Sequence, residues 1–187
     1  MVDAPVLPHR VSIEATRGLA GLFILYAVQT APMHFFYVAL PIVLRDGGAS
    51  LSLIGATAVI FLPWSLKILW ASAVERSPVG GRCAYRNWVL FTQGFAAMAC
   101  IALAFVPPIE AFKTMVILAT LVAMFCATQD VAVDGWASAA FGQRRSASGG
   151  TMLGAGCAAG AVSGGAVLLV LYGTGGWPAM CFALAVI

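Results

Sequence analysis

An all-α fold, a polytopic bundle of membrane helices, is what this sequence predicts, and three observations carry the expectation. Hydrophobic residues make up 61% of the 187 positions and charged residues only 9%, against about 25% charged in soluble domains. Apolar runs recur along the chain, each near the ~20 residues that a helix needs to cross a hydrocarbon core. Basic residues gather in alternate connections, as they do in loops that stay in the cytoplasm.

The runs cover residues 18–44, 51–74, 88–106, 114–137 and 149–172, and a sixth covers 177–187. Residues 1–17 are polar and lack the short apolar core and small-residue site of a cleavable signal, so the first run is itself the insertion signal. Pro32 and Pro41 predict bends in that run, which neighbouring helices make tolerable by satisfying the freed carbonyls. The second run carries Lys67 near its middle and ends in Glu75 and Arg76, a Pro/Gly turn, Arg82 and Arg86. The third is apolar, and the fourth holds Asp130 and Asp134 toward its end. The fifth is dense in small residues, with Gly156, Gly160 and Gly164 four apart, a spacing that lets another backbone approach closely. At ~1.5 Å rise per residue the sixth covers about half a bilayer, so the expectation is a truncated sixth helix and a fragment of a longer chain.

Charge sets the orientation. Arg10, Arg17, Arg76, Arg82, Arg86, Arg144 and Arg145 fall on one side, and only Arg45 and Lys113 on the other. The N-terminus and the loops 75–87 and 138–148 are therefore expected in the cytoplasm. The net charge of +3 comes from single or paired bases with no long run, which gives nucleic acid nothing to bind. The five cysteines form no CxxC and show no metal spacing; neither a disulfide nor a metal is expected.

Ionisable groups inside a span are costly, at least about 2.5 kcal/mol at the bilayer centre. Lys67 lies about 9 Å inside the cytoplasmic end of its helix. It either snorkels to the interface or pairs with a group on another helix. Asp130 and Asp134 are four apart and share a helix face; they lie about 10 Å and about 4–5 Å inside. Matching depth predicts a Lys67–Asp130 ion pair, with Asp134 meeting Arg76 or Arg82. The pair either fixes helix packing or takes part in carrying a proton. On the first helix, Tyr26, Gln29, Thr30, Met33 and Tyr37 follow helical spacing, beside His34. That stripe either lines a water-filled path or makes contacts between helices.

Six spans, a basic loop after the second and acids in the fourth resemble one half of a major facilitator superfamily transporter. The run Ala71-Ser72-Ala73-Val74-Glu75-Arg76, followed by Gly81, Arg82 and Arg86, is similar to that superfamily's loop signature G-x-x-x-D-R-x-G-R-K/R. It departs from it in the opening residue, in Glu75 for aspartate and in a stretched spacing. Leu62-Pro63-Trp64-Ser65-Leu66-Lys67-Ile68-Leu69-Trp70, with Thr128-Gln129-Asp130-Val131-Ala132-Val133-Asp134, resembles the branch of muropeptide permeases, acetyl-CoA transporters and siderophore permeases. Val38-Ala39-Leu40-Pro41 leans toward the siderophore permeases of pyochelin or rhizobactin type. Ser72 stands where that branch carries proline.

The resemblance implies the N-terminal six-helix half of a secondary transporter in a bacterial inner membrane, driven by protons as a symporter. It implies a cavity lined by the first and fourth helices, including Gln129, and a cytoplasmic charge cluster of Glu75, Arg76, Arg82 and Asp134, with Arg86 in the same loop. Its partners would be the bilayer, a small-molecule solute and a second six-helix half, with no cofactor; the 187 residues alone would then not transport unless two copies pair. Two other readings compete. One is a non-transporting remnant or assembly partner. The other is a membrane transferase in which Asp130 and Asp134 hold Mg²⁺, although such enzymes need further aspartates on a second helix.

Overall fold

The computed structural model describes residues 9–76, 84–141 and 147–187, all helix and short connection with no strand among them. Among the described residues four helices are long and apolar enough to cross a membrane: Gly18–Asp46, Tyr85–Ala104, Phe112–Ser138 and Gly149–Val186. A fifth crossing is made if Leu51–Leu66 and Ile68–Val74, bent by 42°, count as one span.

The first crossing consists of α1 (His9–His34), a π-helical turn over Phe35–Ala39 and α2 (Leu40–Asp46). Pro41 has no N–H to give the ladder. The turn before it widens, and Leu40 N–H reaches back five residues to Phe35 O. The bend expected at Pro32 and Pro41 thus takes the form of a π turn between them. Gly48 turns the chain at φ +85°, and Ser50 caps α3 (Leu51–Ala56) by accepting from Leu53 N–H at 3.3 Å.

The second crossing is segmented. A 3₁₀ stretch, Thr57–Phe61, leads into α4 (Leu62–Leu66), whose first turn holds Pro63. Lys67 is the joint between α4 and α5 (Ile68–Arg76). After these come α6 (Ala84–Ala104), α7 (Phe112–Phe141) and α8 (Ala147–Val162). A second π turn, Ser163–Val167, joins α8 to α9 (Leu168–Val186). The fifth and sixth apolar runs are parted at Gly176, whose φ +68° and ψ −166° separate two helical segments of α9, a conformation that glycine alone takes without steric cost.

The main core lies at one end of the bundle, where Phe35, Phe36, Leu40, Leu44, Leu103, Met115 and Met180 are sealed from solvent. Trp177 packs there and donates its indole N–H to Leu103 O at 2.9 Å, tying α9 to α6. At the other end the apolar clusters are smaller: Leu22, Tyr26 and Val133 in one, Val74, Val131 and Ala132 in the other. The polar groups gather beside these small clusters.

Gly156 and Gly160 of α8, with Gly164 in the π turn that follows, face α1. A Cβ on Gly156 would fall 2.6 Å from Phe23 O, one on Gly160 would fall 2.5 Å from Ala27 O, and one on Gly164 would collide with Ala31 O. These obstacles are backbone and cannot swing aside. Gly160→Ala is therefore expected to destabilise by about 1–3 kcal/mol, the usual cost of overpacking. Gly154→Ala, which meets nothing within 4 Å, should leave the thermal midpoint in detergent or nanodiscs unchanged. Equal midpoints for the two variants would remove the seam.

Candidate functional site

Three helical elements bring one cation and two carboxylates together. Lys67, at the joint of α4 and α5, pairs its Nζ with Asp130 Oδ2 on α7. The same Nζ lies 4.0 Å from Asp134 Oδ2, one turn along α7. Tyr26, from α1, donates its hydroxyl to Asp134 Oδ1 at 2.7 Å. Lys67 thus stands between two acids and favours Asp130, while Asp134 has a neutral donor of its own.

The arrangement follows from local structure. Asp130 and Asp134 share a face because an α-helix returns every ~3.6 residues. The bend at Lys67 leaves its carbonyl accepting from both Trp70 N–H at 3.2 Å and Ala71 N–H at 2.9 Å. A second bond lies beside the ion pair. Trp70 Nε1–H donates to Thr128 Oγ1 at 3.2 Å, and Thr128 donates in turn to Met124 O at 2.8 Å. α5 is thereby fastened to α7 at two successive levels. The side chains of Lys67 and Asp130 are 33% and 20% exposed, so protein atoms enclose the pair only in part.

Depth placed Asp134 with Arg76 or Arg82; Arg82 lies outside the described residues, and among the described ones Asp134 meets Tyr26 and stands 4.0 Å from Lys67. Depth along a helix says nothing of azimuth, and Asp134 shares the inward face of Asp130. Arg76 and Arg86 are exposed. Arg86 edges an apolar cleft of about 260 Å³ with Leu25, Val89, Val133 and Trp136. Arg82 and the side chain of Glu75 lie outside the described residues.

The stripe on the first helix passes through several environments. Tyr26 and Gln29 are buried, whereas Met33 is 40% and Tyr37 70% exposed. Thr30 packs on α8 where Gly160 leaves room. His34 Nδ1 lies 3.2 Å from Thr30 O in its own helix, and the ring of Tyr37 meets Phe61 edge-on at 6.1 Å. Gln129 is buried and shares a small cavity with Gln29 and Gln93. Sequence reasoning overlooked Gln93, although an amide within an apolar run was signal enough. It also overlooked the Trp70–Thr128 bond, which needs the relative rotation of two helices.

Comparison with known proteins adds relatives of limited coverage. No protein-family model matches the chain, and no solved structure matches it. It is 33% identical over 108 residues to an uncharacterised protein of Haemophilus influenzae, covering 56% of this chain and 25% of that one. It is 28% identical over 119 residues to a Rickettsia conorii protein named as a transporter, AmpG 4, covering 62% and 29% respectively. An uncharacterised membrane protein of Saccharomyces cerevisiae is 30% identical over 142 residues, covering 62% and 25%. The chain therefore spans 25–29% of the length of these relatives.

Removing Tyr26's hydroxyl leaves Asp134 short of a donor, and hydrogen bonds to charged groups contribute about 1.5–3 kcal/mol. Tyr26→Phe is expected to lower stability toward the lower end of that range, since Asp134 is 49% exposed on its side chain. Combined with Asp134→Ala, the two losses should fall short of additive, because each removes one shared contact. Strict additivity in unfolding measurements would show that the contact contributes nothing.

Proposed function

We propose that this chain is the N-terminal six-helix half of a secondary active transporter of the major facilitator type. It would serve in proton-driven uptake of a siderophore, a muropeptide or a similar small solute across a bacterial inner membrane, with its N-terminus in the cytoplasm. One observation carries the reading. Lys67, Asp130, Asp134 and Tyr26 link three helical elements through a single polar network inside an otherwise apolar chain. Intramembrane ionisable groups are expensive, and where they persist they mark ion or substrate pathways. A relative named as a transporter, matched over 62% of this chain, supports the same class.

The network suits coupling because its cation has two acids to choose between. Lys67 rests on Asp130, and Asp134 waits one turn away under Tyr26. A proton arriving on Asp130 would neutralise it and turn Lys67 toward Asp134. That exchange would only have to close the 4.0 Å gap between Lys67 Nζ and Asp134 Oδ2, at the bend between α4 and α5. A ligand or proton shifts such an equilibrium only by its differential affinity for the two arrangements, and the two carboxylates supply that difference. Glu75, Arg76, Arg82 and Arg86 would form the cytoplasmic charge cluster, and the exposed end of the α1 stripe would face the solute.

Uptake by cells or proteoliposomes carrying the full-length gene product tests the reading, with ferric siderophores and anhydromuropeptides as candidate solutes. Uptake of at least one should follow an imposed pH gradient and stop when a protonophore is added. Lys67→Ala and Asp130→Asn should each lower the rate at least about tenfold, a barrier change of about 1.4 kcal/mol. Unchanged rates in both variants would reduce the pair to a packing contact.

A further inference from the structure

Three glutamines from three helices converge on one enclosed cavity. Gln29 of α1, Gln93 of α6 and Gln129 of α7 line it, and Val122, Cys100 and Cys126 close it with apolar atoms. Gln29 is 8% exposed and Gln129 only 2%. Gln29 Oε1 is buried and meets no hydrogen-bond donor among the described residues. Leaving such an acceptor unmade is destabilising, and a leucine at the same place would avoid the cost.

Size and chemistry narrow what satisfies this oxygen. The cavity measures about 10 Å³, near the lower limit of roughly 10–15 Å³ at which a single water is held. A solute, an amine or a hydrated ion does not fit. Among the described residues no charged side chain lines the cavity. Carboxamides offer both donors and acceptors, which matches a water that gives two hydrogens and takes up to two. We propose that an internal water binds here, donating to Gln29 Oε1 and bonded to the amides of Gln129 and Gln93. Its place gives it a role in the polar seam. Gln29 is three residues beyond Tyr26 on α1, and Gln129 directly precedes Asp130 on α7. The water and the Tyr26–Asp134 bond would hold the same two helices about one turn apart.

X-ray radiolysis of the full chain in nanodiscs tests this, because hydroxyl radicals formed from a bound water oxidise the side chains beside it. Cys100 and Cys126 line the cavity yet are only 3% and 4% exposed. Met115, 0% exposed near the start of α7, lies outside the lining and serves as the dry reference. Cys126 or Cys100 should oxidise at least tenfold faster than Met115. Gln29→Leu should bring that rate down to the reference. Cysteines as inert as Met115 in the unmodified protein would overturn the proposal, whatever the variant does. Fast cysteine oxidation that persists unchanged in a folded Gln29→Leu variant would overturn it as well.

Discussion

An ammonium group placed within an apolar helix demands compensation, and much of this architecture answers that demand at Lys67. Its partners lie on α7, at Asp130 and Asp134, so the second crossing must approach the fourth. The Trp70–Thr128 bond fixes that approach next to the pair. Asp134 in turn draws in α1 through Tyr26. Helix association in a bilayer has no hydrophobic drive of its own and relies on close packing and polar contacts. One cation accordingly organises three elements that apolar packing alone would leave free to slide.

α1 is the element where the two kinds of contact meet. One side gives backbone to the glycine face of α8 at Phe23, Ala27 and Ala31. Another gives polar side chains, Tyr26 and Gln29, to the neighbourhood of α7. The π turn at Phe35–Ala39 then re-aims the chain, so that Phe35 and Phe36 enter the main core and Tyr37 turns outward. The apolar core gathers at the end beyond this turn, and the polar seam lies before it.

Much of this was legible in the sequence, and what was not has a common cause. The helical class, the apolar runs and the Lys67–Asp130 pair follow from composition and from depth along a helix, which is a one-dimensional quantity. The close-packing face of Gly156, Gly160 and Gly164 follows from spacing. The partner of Asp134 did not follow, because it depends on how α1 and α7 are rotated about their axes. The π turns escaped for a related reason: a ~3.6-residue period cannot register a local turn of five. The break between the fifth and sixth runs narrows to Gly176, a residue outside helical φ/ψ between two helical segments.

The glycine seam distributes mutational tolerance unevenly between its two helices. α8 contributes the absence of side chains, and any added atom meets a carbonyl of α1. α1 contributes carbonyls and, at Tyr26 and Thr30, Cβ atoms, which every residue but glycine carries. Side-chain identity on α1 is therefore released from the demands of that contact. Tyrosine and glutamine can occupy neighbouring positions on the same helix without loosening its hold on α8, so the chemistry of the polar seam can vary independently of the packing that supports it.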